Sequence, residues 1–369
     1  MKRILYVTTV SLTLNTFLIP HIRHLINHGF QVDIASNIDV PLDKTFEKME
    51  IIHYKINFSR NPLHPKNIEA YREIKRLQEE NNYDIVHVHT PVASFVTRMA
   101  LRSKSVKMIY TAHGFHFYDG APLINWALYY PLEKLAARWT DTLVTINDED
   151  MMRGKKFNLR NNGQVYKMPG VGIKEESYEI ENFNRNRYRK SLGLKKDDFA
   201  ILVLAELNKN KNHMQIIKAI DELKEKCPRI KLICAGKGPK EKELKRVVKY
   251  MKLEKNVKFI GFRRDITQLL YCSDCVGLFS HREGLGKCLL EGMIAGKPII
   301  ATNTRGPKEL IEDGANGFLV EVDDYKHLAE YLEKIYGDQE MQNRFGEKSK
   351  EKVKEFYLDK VLQEVINFY

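Results

Sequence analysis

The 369-residue sequence predicts an α/β protein made of two doubly wound parallel-sheet domains facing each other across a cleft. Three observations lead there. Short apolar runs alternate with amphipathic stretches of helical length. The alternation occurs in two successive series, separated by a polar segment. Each cluster of chemistry-bearing side chains follows directly on a predicted strand, which is where doubly wound sheets bind ligands.

In the first series, "RILYVTT" (3–9), "QVDIAS" (31–36), "DIVHVHT" (84–90), "KMIYTAH" (107–113) and "TLVTIN" (142–147) read as strands. "IPHIRHLINHG" (19–29) and "KNIEAYREIKRLQEEN" (66–81) read as helices between them, with Gly29 as a C-terminal stop. Strands separated by helices of that length pair in parallel through right-handed crossovers. "KMPGVGI" (167–173) and the polar "KEESYEIENFNRNRYRK" mark the seam. The second series has strands at "FAILVLAE" (199–206), "IKLICAG" (230–236), "NVKFIG" (256–261), "CVGLFS" (275–280), "PIIAT" (298–302) and "GFLVEV" (317–322). "HMQIIKAIDELKEK", "EKELKRVVKYMKL" and "CLLEGMIAG" are its helices. The expected domains are 1–172 and 173–351. The last residues, 352–369, read as a helix with no following strand that packs back on the first domain.

Composition narrows the function. The net charge is +12, but the basic residues are mixed with acids, as in "GPKEKELKRVVKYMKLEK", the pattern of a solvated helix face. There is no basic stripe interleaved with aromatics, so nucleic acid is not the expected partner. A contribution to docking on anionic lipid is the second reading of the charge. Cys272 and Cys275 form a C-x-x-C, but no second Cys or His pair follows at zinc spacing. They read as small apolar residues where a helix runs into a buried strand. Five cysteines and no signal-peptide pattern fit a reducing cytoplasm. The apolar part of "MKRILYVTTVSL" is too short for a signal or a span, and no other segment is long and apolar enough to cross a bilayer.

Four clusters carry the chemistry. In "FSHREGLGKCLLEGMIAGKPIIAT" (279–302), "HREGLG" is the turn between a strand and a helix. Backbone amides of residues 284–288 then point out of a helix N-terminus, which carries about half a positive charge and suits an anion. Lys287 adds a cation. Glu283 precedes the helix and Glu291 lies inside it, so both carboxylates can face one extended ligand and accept from vicinal hydroxyls of a sugar or ribose. An N-terminal cap accounts equally well for Glu283. It does not account for Glu291 in an apolar helix, where a carboxylate needs a partner. The second cluster is "LAELNKNKNHMQII" (204–217), with Lys209 and Lys211 at a helix start that Asn210 or Asn212 can cap. It reads as a second phosphate-binding terminus or as a lysine-rich loop. In the third, "GKGPKEKEL" (236–244), Gly236 and Gly238 permit close backbone approach or simply a tight turn. The fourth is "TAHGFHFYDGAPLINWALYYP" (111–131). His113 follows a strand, and Phe115, His116, Trp126 and their aromatic neighbours supply either helix core or a greasy acceptor or membrane face. His87 and His89 share one strand face, with His89 nearer the cleft.

Together these residues resemble a known pattern. "SHREGLGKCLLEGMIAGKPIIATNTRGPKELIEDGANGFLV" (280–320) resembles the donor-site signature of retaining glycosyltransferases of family 4, which have the GT-B fold of two Rossmann-like domains. "FIGFRRDITQLLYCSD" resembles that family's segment around the nucleotide base. "HVHTPVASFVTRMALR" and "YTAHGFHFY" are similar to the acceptor half of its capsule and exopolysaccharide branch, the CapM- and EpsD-like enzymes. The resemblance implies that Glu283 contacts the transferred sugar and Glu291 the ribose hydroxyls. The backbone of Gly284, Leu285, Gly286 and Lys287, with the Lys211 side chain, would hold the diphosphate. Phe262 and Arg263 would lie by the base, and Gly236 in the same donor site. His113 would sit beside the sugar and leaving group, with Phe115, His116 and Trp126 toward the acceptor. Two departures stand out. Ala205 and Glu206 replace the family's Gly-Arg pair, and "TTVSLTLNTF" lacks the usual glycine pair after the first strand.

The implied activity is transfer of a hexose or N-acetylhexosamine from a UDP-sugar to a lipid-linked, polyprenyl-diphosphate saccharide at the cytoplasmic membrane face. No cofactor or essential metal is expected, because helix termini and lysines supply the leaving-group stabilisation. "NDED" (147–150) reads as acids at a helix start rather than a metal site. Retention without an opposite-face nucleophile implies a front-face reaction. The rival on the same fold is a UDP-sugar 2-epimerase, against which the aromatic stretch argues. A nicotinamide dehydrogenase is excluded by the absence of glycine in "VTTVSLTLNT".

Overall fold

β-Branched and aliphatic runs form two parallel sheets, one in each of two units. The computed structural model describes all 369 residues. Unit 1 comprises Met1–Gly172 with Leu358–Tyr369, and unit 2 comprises Ile173–Tyr357. The segment that joins unit 1 therefore begins at Leu358 rather than at residue 352. The helix Gln339–Val353 and the turn Lys354–Phe356 stay with unit 2.

Unit 1 holds strands β1 (Arg3–Val10), β2 (Gln31–Asn37), β3 (His53–Lys55), β4 (Ile85–His89), β5 (Lys107–Ala112), β6 (Thr142–Thr145) and β7 (Gln164–Lys167). Their order is β3-β2-β1-β4-β5-β6-β7, all pairs parallel. Every residue of β4 is buried, as a central strand covered on both faces must be. β3 and β7 are absent from the sequence reading. Both are short edge strands, and their half-exposed residues leave no apolar period to detect. The strand order reverses between β1 and β4, and Thr9 and Thr90 join across that switch point, their hydroxyl oxygens 2.7 Å apart. No glycine loop follows β1. Instead Ser11–Thr13 and the π-turn Leu14–Leu18 run straight into the helix Ile19–Asn27.

The returning segment forms the helix Leu358–Val365, which buries Val361, Val365 and then Phe368 in unit 1. Phe368 meets Tyr166 and Tyr369 meets Phe30. Gly172, at φ +80°, permits the crossing, since a Cβ there would lie 2.8 Å from the Leu358 Cα.

Unit 2 holds β8 (Phe199–Leu204), β9 (Ile230–Ala235), β10 (Val257–Gly261), β11 (Cys275–Leu278), β12 (Ile299–Thr302) and β13 (Gly317–Val320). Their order is β10-β9-β8-β11-β12-β13, again wholly parallel. One apolar cluster lies on each face of this sheet. Cys272 and Cys275 are buried there, and burial pushes the Cys272 thiol up to about 11. Several strands stop one or two residues short of the apolar runs, because His113, Glu206 and Ser280 leave the ladder to enter loops. Those loops carry the candidate site.

Candidate functional site

The switch point of unit 2 lies between β8 and β11, and the loops after these two strands meet there. The Asn210 side-chain amide donates to the Arg282 carbonyl at 3.0 Å, and the His281 N–H donates to the Asn210 carbonyl at 2.8 Å. Lys211 Nζ then reaches Glu283 Oε2 at 2.5 Å, and Ser280 Oγ donates to the same oxygen at 3.2 Å. Glu283 is thus anchored by partners and caps no helix. Gly286, at φ +99°, occupies the N-cap of the helix Lys287–Ile294 with no side-chain cap. Asn212 occupies the N-cap of the helix His213–Leu223, likewise without a side-chain cap. Asn212 bonds Gln215 and Asp323, and Asn210 is spent on the loop junction. Burial works to lower the Lys211 pKa, but the Glu283 carboxylate, assisted by Cys288 and Glu206, outweighs it and holds the ammonium above its ordinary value. The cation therefore persists at every physiological pH.

Glu291 is buried and has the partner its burial demands. The Tyr178 hydroxyl donates to its Oε1 at 2.7 Å, and Lys287 Nζ lies 3.5 Å away. Burial first, and then the Glu291 carboxylate, push the Tyr178 hydroxyl far up in pKa, so it remains a donor. The 284–288 turn is pinned from the other side by Arg305, whose Nε donates to the Glu283 carbonyl at 3.4 Å. Gly306 lies so close that a Cβ would come within 2.7 Å of the Leu285 backbone.

Beside β8 and β9 is a cavity of about 620 Å³, lined by Leu204, Ala205, Glu206, Ala235, Gly236, Lys237, Phe262, Arg263 and Ile266. A Cβ on Gly236 would sit 1.9 Å from the Ala205 carbonyl oxygen, so only glycine fits. Phe262 is 67% exposed, a platform without a protein partner over most of its ring. The Arg263 guanidinium is committed to Asp265 and Tyr188, and it holds the Asp265 carboxyl at about 2. Glu206 accepts from the Asn208 amide at 3.0 Å.

In unit 1, Gly114 (φ +126°) turns the chain after β5, and His113 Nε2 lies 3.1 Å from His89 Nδ1. Phe115 does not line a surface. It is 3% exposed, stacks on Phe117 at 4.7 Å, and its N–H donates to the buried Asp150. Asp150 belongs to "NDED", where the Asn147 side chain caps the helix Asp148–Gly154. The His116 ring packs against Tyr129 with centroids 4.6 Å apart and the planes tilted by 31°. Trp126 is half-buried against Phe117 and Tyr130, with the Arg153 guanidinium 4.9 Å from its ring. The aromatic side of the helix Leu123–Ala137 is therefore core, and its other side is open.

The comparisons with known proteins fit this geometry. Residues 184–352 match the family of glycosyl transferases group 1, and residues 3–147 match the glycosyl transferase 4-like family. The chain is 37% identical to EpsD of Bacillus subtilis (strain 168), over 100% of this chain and 96% of the relative. This chain belongs to the family 4-like, group 1 glycosyltransferases. It is also 26% identical to an α-1,3-galactosyltransferase of Escherichia coli named for UDP-Gal and GlcNAc-diphosphoundecaprenol, over 91% of each chain. Among solved structures, HepE of Anabaena in complex with UDP and glucose superposes with a TM-score of 0.83 at 20% identity, over 100% and 99% of the two chains. The fold is GT-B.

In this glycosyltransferase the structure adds residues that motif reading misses. Tyr178 lies in the seam, 113 positions before Glu291, with no motif around it. The buried Glu291 signalled that a partner exists, but not which one. Asp150 looked like one acid among several at a helix start.

Two outcomes follow. Tyr178→Phe removes a hydrogen bond to a carboxylate, a loss of about 1.5–3 kcal/mol. Donor KM should rise about tenfold with little change in kcat, and an unchanged KM would leave Glu291 with no need of this anchor. The second concerns acid. Burial, the largest cause in each case, lowers the pKa of His21, His87, His89 and His113 in the folded chain, that of His113 to about 4. The unfolded chain therefore binds protons below about 6.5 that the native chain refuses, and stability falls as pH drops through that value. The urea midpoint of unit 1 should decrease between pH 7 and pH 5, and His87→Phe should flatten that decrease.

Proposed function

We propose that this glycosyltransferase moves a hexose or N-acetylhexosamine, with retention, from a UDP-sugar to a polyprenyl-diphosphate-linked saccharide in capsule, exopolysaccharide or other surface-glycan synthesis. The observation that carries this reading is the constellation at the β8/β11 switch point. There Lys211, Lys287 and a helix N-terminus flank two anchored carboxylates, Glu283 and Glu291.

Such a set suits a sugar diphosphate. Lys211, Lys287 and the amides of Gly284 to Lys287 would stabilise the charge that develops on the leaving diphosphate. Glu291, fixed by Tyr178, would take the ribose hydroxyls. Glu283 would accept from hydroxyls of the transferred sugar. Gly236 would admit the ligand backbone closely, with Phe262 and Arg263 beside the base. His113 and His116 would act on the acceptor side. The UDP-Gal and GlcNAc-diphosphoundecaprenol in the name of the Escherichia coli relative, and the UDP and glucose in the HepE complex, support the same chemistry. Glu206 puts a negative charge where the family's arginine stands, so the lysines would carry the neutralisation. The reaction would need no metal and would proceed on the front face of the sugar.

The acceptor half of the reading draws on the open side of the helix Leu123–Ala137. Ile124 is 68% exposed, Leu128 47%, Leu135 42% and Leu132 37%, at helical spacing along one stripe, with Leu123 (85%) exposed at the helix start and Lys134 and Arg138 nearby. An apolar stripe bordered by cations suits the interface of an anionic bilayer. No helix is long and apolar enough to cross a membrane. We assign this face, not Trp126, to peripheral contact with the cytoplasmic leaflet.

The decisive assay incubates the purified chain, with chelator present, with UDP-hexoses or UDP-N-acetylhexosamines and a polyprenyl-diphosphate saccharide in vesicles. Transfer is expected, and Glu283→Ala should reduce kcat/KM by about 10²-fold or more, the scale of a lost transition-state contact. Loss of turnover on chelation would remove the metal-free reading. A new UDP-sugar formed without acceptor would instead indicate 2-epimerisation. Separately, Ile124→Ser with Leu128→Ser should abolish flotation with phosphatidylglycerol vesicles while leaving transfer to a short-chain soluble acceptor intact. Undiminished flotation would refute the assigned face.

A further inference from the structure

A column of stacked polar rings underlies His113 in unit 1. His87 and His89 are alternate residues of β4, so both project from one face of the sheet. Their rings stack with centroids 4.3 Å apart, and His89 stacks in turn on Tyr6 of β1 at 5.2 Å and on His113 at 5.4 Å. Tyr369 closes the far end. Its hydroxyl hydrogen-bonds to His87 Nδ1 and to the Tyr6 hydroxyl, while His87 Nε2 pairs with Thr111 Oγ1 at 2.7 Å. His21 borders the same small cavity, its Nε2–H donating to the Val171 carbonyl at 2.8 Å. Both nitrogens of His87 are therefore occupied, and the rings hold His89 from two sides.

One proton is shared between His89 Nδ1 and His113 Nε2, 3.1 Å apart. Burial keeps both imidazoles neutral, so each ring carries one N–H. If His113 donated, the His89 proton would sit on Nε2. That atom is buried and has no hydrogen-bond partner. A buried N–H without an acceptor costs about 1–3 kcal/mol. The reverse arrangement leaves only a bare ring nitrogen there, and among backbone groups the under-satisfied acceptor is the more tolerated of the two defects. His89 is then the donor, from Nδ1. The proton of His113 is consequently on Nδ1, an atom with no hydrogen bond from the protein.

We propose that His89 is a positioning residue. Its Nδ1–H fixes His113 as the Nδ1–H tautomer, so that His113 offers one hydrogen-bond donor, from Nδ1, to a substrate oxygen. Tyr6, His87 and Tyr369 form the base on which His89 is held. The proposal rests on the reading of His113 as a site residue and goes beyond it by assigning the tautomer and its cause.

Long-range ¹H–¹⁵N correlation on histidine-labelled protein at pH 7 reads the tautomer directly, the His113 signals being those lost in His113→Gln. The wild type should show a protonated Nδ1 and a bare Nε2 on His113. His89→Leu removes the donor and should give a tautomer mixture. His89→Asn, whose amide nitrogen stands near the Nδ1 position, should restore the single form. In the transfer assay, kcat should fall about tenfold in His89→Leu with donor KM within about twofold, and recover in His89→Asn. A protonated Nε2 on wild-type His113, or the same single tautomer in His89→Leu, overturns the proposal. If His89→Leu does not fold, the wild-type tautomer and the His89→Asn kinetics still decide. Wild-type transfer by His113→Gln, with the tautomer result as expected, would locate the failure in the placement of His113 and leave its coupling to His89 standing.

Discussion

The Lys211–Glu283 ion pair is the constraint on which unit 2 turns. It ties the loop after β8 to the loop after β11 across the point where strand order reverses. Both side chains are largely buried, so removing either partner strands a charge in a poorly solvated place, a far larger penalty than breaking an exposed pair. The backbone junctions through Asn210 and the Ser280 hydroxyl keep the pair in register. The same loop then sets Gly286 in its left-handed turn, and the helix that follows delivers Lys287 and Glu291 one turn apart. One electrostatic contact thus fixes the relative places of Lys211, Glu283, Lys287 and Glu291.

Unit 1 solves a different problem. His113 sits on a column of neutral rings, and the aromatic helix is divided lengthwise into a core side and an open aliphatic side. The division follows from packing. Phe115, Phe117, Trp126, Tyr130 and Phe157 pack on one another through stacked, edge-on and tilted contacts and use up the aromatic surface. Only the aliphatic positions at the opposite spacing remain outside.

The sequence makes the central strands legible because burial on both faces leaves continuous apolar runs, as in β4 and β8. It makes β3 and β7 illegible because edge strands need no such run. Glu283, Glu291, Lys211 and Gly236 are recoverable from local pattern, since strand, turn and helix place them within one crossover each. The long-range partners are not. Tyr178 on Glu291, Asp150 on Phe115 and Tyr369 on His87 join positions far apart in the chain through single hydrogen bonds. Burial of a polar group announces that a partner must exist, and only the fold names it. Aromatic character likewise marks the helix at 123–137 as important, but does not reveal which side faces out.

We propose that unit 2 binds a sugar nucleotide at the β8/β11 switch point. Hydrogen exchange with and without a UDP-sugar tests it most directly. Protection should concentrate in peptides covering residues 204–212, 236–238, 261–266 and 280–292, with the rest of unit 2 little changed. Binding without protection of the 280–292 peptide, or protection centred elsewhere in the chain, would contradict it.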